Sequence, residues 1–128
     1  MATATTSSSQ SLTYVLWALR LLMAALFLFA GFAKLSGQEM MVQEFGLLPV
    51  GQWFRYLTGV IEILGAIALL IPSYSGLGAL ALLVVDVGAF FAQVGFIHSD
   101  WVHTIVIGAI LAALVYLQRD SIRERLGA

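Results

Sequence analysis

The stretch Tyr14-Val-Leu-Trp-Ala-Leu-Arg20-Leu-Leu-Met-Ala-Ala-Leu-Phe-Leu-Phe-Ala-Gly-Phe32 decides the fold. It is a continuous apolar run broken by a single charge. Its length is close to the ~20 residues an α-helix needs to cross a hydrocarbon core about 30 Å thick. It does not alternate polar with apolar residues as a barrel strand would. In lipid every backbone polar group must be satisfied internally, so a run of this kind is expected to be a helix.

Working outward, three more such runs follow. Trp53–Ile71 is interrupted by Glu62, Leu77–Ile97 carries Asp86 and Gln93, and Trp101–Leu117 carries His103 near its start. The fold class expected is therefore all-α: an integral membrane four-helix bundle, antiparallel, up-down-up-down. Residues 1–12 read as a disordered polar tail. Residues 13–118 read as the transmembrane domain, with spans at about 14–32, 53–71, 77–97 and 101–117. Residues 119–128 read as a charged cytoplasmic tail. The first run has no basic segment before it and is too long for a signal-peptide core, so it is read as a retained span.

Composition agrees with this reading. Of 128 residues, 61% are hydrophobic and 10% charged, against about 25% charged in an average soluble domain. No stretch is long and polar enough for a large extramembrane domain. The net charge of −1 leaves no basic stripe to neutralise phosphates, so nucleic acid is not an expected partner. The absence of cysteine excludes disulfides, thiolate chemistry and cysteine-based metal sites.

Pro72–Gly76 reads as a short turn between antiparallel neighbours, and Ile97–Trp101 as another, with Asp100 or Ser99 placed to cap the last helix. Gln38–Phe45 reads as a short amphipathic segment on the membrane surface. Trp17, Trp53, Trp101 and Tyr116 fall near span ends, as an interfacial aromatic belt would. Four spans put both termini on one side. That side holds Arg119, Arg123 and Arg125, and the other Lys34 and Arg55, so the positive-inside rule places the termini in the cytoplasm.

Ionisable groups at membrane depth are the strongest functional signal, because such groups face the bundle and pair. Counting rise along each helix puts Arg20 about 9 Å in from Tyr14, Glu62 about 13 Å in from Ile71, and Asp86 about 13 Å in from Leu77. The three share one depth band, which predicts a buried contact of Arg20 with Asp86 or Glu62. Two carboxylates against one guanidinium leave one acid that must hold a proton or reach water. A purely structural pair that fixes helix register is the competing reading.

Asp86, Phe90 and Gln93 share one helix face; Thr58, Glu62, Gly65 and Leu69 share another; Arg20, Phe27 and Lys34 fall along a third. Together they describe a cavity with acids at the bottom, aromatics midway and Lys34 at the outer mouth, or else plain packing. Neither Glu62 nor Asp86 has a metal-ligand partner at i+3 or i+4, so no metal site is assigned. His98 and His103 read as interfacial residues, one of them a cap or proton carrier. Gly31, Gly59, Gly65, Gly78, Gly88, Gly95 and Gly108 read as packing notches.

These residues also carry a resemblance. Arg20 through Ala30-Gly31 to Lys34-Leu35, then Phe45–Pro49, then Thr58–Pro72 with its Gly59-x-x-Glu62-x-x-Gly65 core, resemble the blocks of the DoxX-like family in order and spacing over about residues 14–118. The third helix matches less distinctly, so Asp86 rests on the depth argument. The resemblance implies a small four-helix protein of the bacterial inner membrane. Some relatives are similar to the small membrane subunit of a thiosulfate:quinone oxidoreductase. Others resemble partners in membrane oxidoreductase complexes or assembly factors.

The reading that follows is a membrane protein that binds a small apolar or quinone-like ligand, or docks a membrane redox partner, around Arg20, Glu62 and Asp86. Glu62 is the candidate proton-exchanging acid, Arg20 its counter-charge, Asp86 the group orienting Arg20, and Gln93 and Lys34 line the outer approach. Quinone is the candidate cofactor, and a homodimer the candidate assembly. The alternatives are a noncatalytic assembly or scaffolding factor and, third, a proton-coupled transporter.

Overall fold

The computed structural model describes residues 2–127, with side chains from residue 10 onward. Six α-helices follow one another: α1 (Ala2–Ser36), α2 (Glu39–Gly46), α3 (Trp53–Leu69), α4 (Ser75–Ala92), α5 (Val102–Leu117) and α6 (Arg119–Leu126). A single π-helical turn, Gln93–Ile97, extends α4. Among the described residues there is no strand. Two segments, Gln10–Ser36 and Ser75–Ile97, are long and apolar enough to cross a membrane. α5 and α6 would make a third only as one span, and they are bent by 68° from each other. The chain is thus all-α and of membrane type.

The simple picture of four helices needs restating. α3 has 17 residues and α5 has 16, about 26 and 24 Å of helix. Both are shorter than α1 and α4, because Gly51 and Pro72 bound the first and the left-handed His98 and Gln118 bound the second. α1 packs on α3, α3 on α4 and α4 on α5, with a smaller α1–α5 contact closing the ring. The core is Met23, Ala24 and Phe27 of α1, Ala66 and Leu69 of α3, Ala79 and Leu82 of α4, and Leu111 and Leu114 of α5. Outside it, Phe29, Phe32, Leu64, Val84 and Phe91 are more than half exposed. A soluble monomer does not carry apolar surface on that scale; a bilayer solvates it.

Glycine sets the helix spacing. A Cβ on Gly31 would lie 2.9 Å from the Gly59 carbonyl oxygen, and one on Gly78 would lie 2.8 Å from that of Gly65. Backbone approach this close is what small residues permit at membrane helix contacts. Gly88 and Gly95, read from the sequence as similar notches, face open space instead.

The ends are held by specific groups. The Asp100 carboxylate accepts the Val102 N–H at 2.9 Å and so caps α5. The π turn closes when the N–H of His98, at φ 57°, donates to the Gln93 carbonyl at 2.7 Å. The polar segment read as a tail carries helical backbone from Ala2, while its first side chains lie outside those described. At the other end the segment read as a charged tail folds back as α6, with Ile122 buried against Gly76.

Candidate functional site

The expected three-way cluster is not what the side chains form; each charge has its own neighbourhood. Glu62 on α3 pairs with Lys34 on α1, at 2.9 Å, and both side chains are largely buried. The local sequence explains this. Gly31 and Gly59 bring the two antiparallel helices together, and each charge lies three residues beyond its glycine. The rise of a helix separates the two Cα atoms by about 9 Å along the axis. Every Cα–Cβ bond leans toward its helix N-terminus, so on antiparallel helices these two side chains lean toward each other. Lys34 therefore reaches inward to an acid, where the sequence reading left it at an outer mouth.

Arg55, one turn before Gly59, is also buried. Its Nε donates to Gln52 Oε1 at 2.7 Å, its Nη1 donates to the Lys34 carbonyl, and its guanidinium lies 4.3 Å from the Tyr56 ring centroid. The last carbonyls of a helix lack intrahelical partners, and a cation near them is favourable. Arg55 thus closes the α1 C-terminus while α1 supplies Lys34 to α3. Gln52 Nε2 in turn donates to the Val42 carbonyl of α2 at 2.9 Å, so one network holds three helices. Arg55 was counted in the sequence only as a topology charge; its spacing of seven from Glu62, on the same face of α3, was the available signal.

Arg20 contacts neither carboxylate. Its Nη2 donates to Gln118 Oε1 at 2.7 Å, and its guanidinium lies 5.1 Å from the Trp17 ring centroid. Its Nε has no acceptor among the described residues. Gln118 also donates to the Leu114 carbonyl at 3.0 Å and sits at the α5–α6 bend. The predicted Arg20–Asp86 or Arg20–Glu62 contact is therefore replaced by a neutral partner. The reason is direction: Arg20 also leans toward the N-terminus of α1, away from the acids and toward the α5–α6 corner. Gln118 lay just past the last apolar run and carried no charge to flag it.

Asp86 is left with least. It is 7% exposed, and no hydrogen bond or ion pair reaches it among the described residues. It packs on bare backbone: a Cβ on Gly108 would lie 2.7 Å from Asp86 Oδ2. His103 of α5 lies 3.5 Å from Asp100. Gln93, seven residues along the same helix face, is buried too, and its Oε1 has no partner among the described residues. Between them stands Phe90, edge-on to Trp101 with ring centroids 6.0 Å apart.

The comparisons with known proteins bear on this arrangement. A family model described as the DoxX-like family matches residues 18–117. The chain belongs to the DoxX-like family. The matched region contains Arg20, Lys34, Glu62, Asp86 and Gln93; Gln118 and α6 lie beyond it. No protein of curated function and no solved structure matches this DoxX-like chain. Family membership and apolar helices together make it a membrane protein.

Proposed function

We propose that this DoxX-like protein is a four-helix, up-down-up-down protein of the bacterial inner membrane, with both termini cytoplasmic, that binds a small apolar molecule with a hydrogen-bonding head group. A quinone-like compound fits that chemistry. Such a ligand would connect the protein to an oxidoreductase partner in the membrane. The observation that carries the reading is Asp86, buried and without a hydrogen-bond or ion-pair partner among the described residues, with the similarly unpartnered Gln93 Oε1 on the same face. An ionisable group at membrane depth without a partner is costly and marks a functional position by default. A buried polar atom left unsatisfied costs about 1–3 kcal/mol, which a ligand head group would recover. Glu62, the acid favoured from sequence, is already compensated by Lys34, so the ligand-facing role moves to Asp86.

The test is saturable quenching of tryptophan fluorescence by a short-chain benzoquinone added to the purified protein, since Trp101 stands beside Phe90. Saturation in the parent and affinity at least tenfold weaker in Asp86→Asn and Gln93→Leu are expected. Quenching that rises only linearly, or is identical in the variants, would remove the proposal.

A second reading, a noncatalytic assembly or scaffolding subunit working as a homodimer or on another membrane protein, is favoured by a different observation. The Lys34–Glu62 pair across the Gly31–Gly59 contact fixes how α1 sits on α3 and needs no ligand to be complete.

A further inference from the structure

We propose that α6 lies along the membrane surface and holds the head-group phosphates of anionic phospholipids with Arg119 and Arg125. The first support is how the charges are sorted around the helix. At about 100° per residue, Arg119 and Arg125 flank Ile122 at three residues either side, and Leu126 follows it at four. Asp120 and Glu124 fall on the far side. Ile122 faces the bundle and is buried against Gly76, whereas Leu126 on the same side is 64% exposed. The apolar stripe therefore runs past the edge of the bundle, toward lipid, with an arginine on either flank and both acids turned to water. That is the layout of an interfacial helix.

The second support is how the two arginines are held. The Arg119 guanidinium lies 4.2 Å from the Tyr116 ring centroid and its Nη1 donates to the Tyr116 carbonyl at 2.8 Å. The Arg125 guanidinium lies 5.3 Å from the Tyr74 ring centroid and its Nε donates to the Ser73 carbonyl at 3.1 Å. Each keeps its other N–H donors unpaired among the described residues, on rings of the kind that gather at the head-group level. A guanidinium fork fits a phosphate, with two donors to two oxygens.

The third support is the asymmetry of the ends. Lys34 and Arg55, at the opposite end, are committed inside the protein. The exposed ionisable side chains there are acids and histidines, including Glu39, Asp100 and His98. Among the described residues, Arg123 pairs with Asp120 at 3.6 Å, which leaves Arg119 and Arg125 as the exposed arginines free to meet a negatively charged leaflet.

The test is native mass spectrometry of the full chain in detergent with equimolar dioctanoyl phosphatidylglycerol and phosphatidylcholine. Preferential retention of phosphatidylglycerol is expected, falling about fivefold for each arginine removed. Arg119→Gln removes no tertiary contact and so tests the idea even if Arg125→Gln unfolds. Asp120→Asn with Glu124→Gln, on the far face, should not lower the preference. Equal retention of the two lipids overturns the proposal. So does an unchanged preference in Arg119→Gln, or a loss in the far-face variant as large as in the arginine variants. Displacement of the lipid by an equal concentration of inorganic phosphate would assign the arginines to a free anion and overturn it as well.

Discussion

Remove the Lys34 ammonium and Glu62 is left buried beside the Gly31–Gly59 contact with no counter-charge. Arg55, the buried cation two turns earlier on α3, is already committed to Gln52 and to the α1 C-terminus. The side chains of the pair are 13% and 5% exposed at a separation of 2.9 Å, which places them in the buried class. Breaking such a pair from one side costs about 3–5 kcal/mol, whereas replacing both members with well-packed neutral groups is often near neutral. Lys34→Met keeps the aliphatic stem, and Glu62→Gln keeps the shape, so packing is little changed. Each single variant is expected to lose about 3 kcal/mol, and the double variant no more than one single, a coupling of at least about 3 kcal/mol. The assay is reversible unfolding in mixed micelles of mild detergent and dodecyl sulfate, read by circular dichroism across the four proteins of the cycle. If the single costs add to the double within about 0.5 kcal/mol, the pair does not hold α1 to α3 and the account of that interface is wrong.

The other predictions concern spacing and the corner of the bundle. Gly31→Ala would drive a Cβ to 2.8 Å from Ile63 and should cost about 1–3 kcal/mol by overpacking. Gly88→Ala meets open space and should be neutral or stabilise by up to about 1 kcal/mol through helix propensity; thermal denaturation in detergent separates the two. Gln118→Leu strips Arg20 of its side-chain acceptor and should cost about 1.5–3 kcal/mol, while Gln118→Glu restores an acceptor and should recover most of it in the same melts. Equal melting of Gln118→Leu and the parent would show that Arg20 draws nothing from that contact.

The sequence carried the membrane character and the all-helical class plainly, because apolar runs of span length admit few other structures. Family membership was legible in the Arg20–Leu35 and Thr58–Pro72 blocks. Pairing was not legible. Counting rise gave the depth of Arg20, Glu62 and Asp86, and depth is one coordinate of three. Which way each helix faces was missing, and so was the lean of side chains toward the N-terminus, which carries Lys34 to Glu62 and Arg20 to Gln118. Arg55 and Gln118 escaped for a related reason. Their roles depend on carbonyls and amides, which leave no mark in charge or hydropathy. Residues 119–128 looked like a tail because their charges dominate; Ile122 and Leu126, apolar residues four apart among them, were the sign of a docked helix.

The unequal helix lengths have a consequence for the surrounding lipid. The ring of contacts sets α1 opposite α4 and α3 opposite α5. The apolar part of α1, Gln10–Ser36, and that of α4 with its π turn, Ser75–Ile97, have 27 and 23 residues, about 40 and 35 Å of α-helix. With all four helices set across the membrane as proposed, tall and short faces alternate around the molecule. Lipid is adjusted at a cost of a fraction of a kcal/mol for each Å of mismatch, so acyl chains thin along α3 and α5 and stretch along α1 and α4. In that proposed arrangement the protein would imprint a saddle on its bilayer, and neighbours with short spans would relax that distortion best by settling beside α3 or α5.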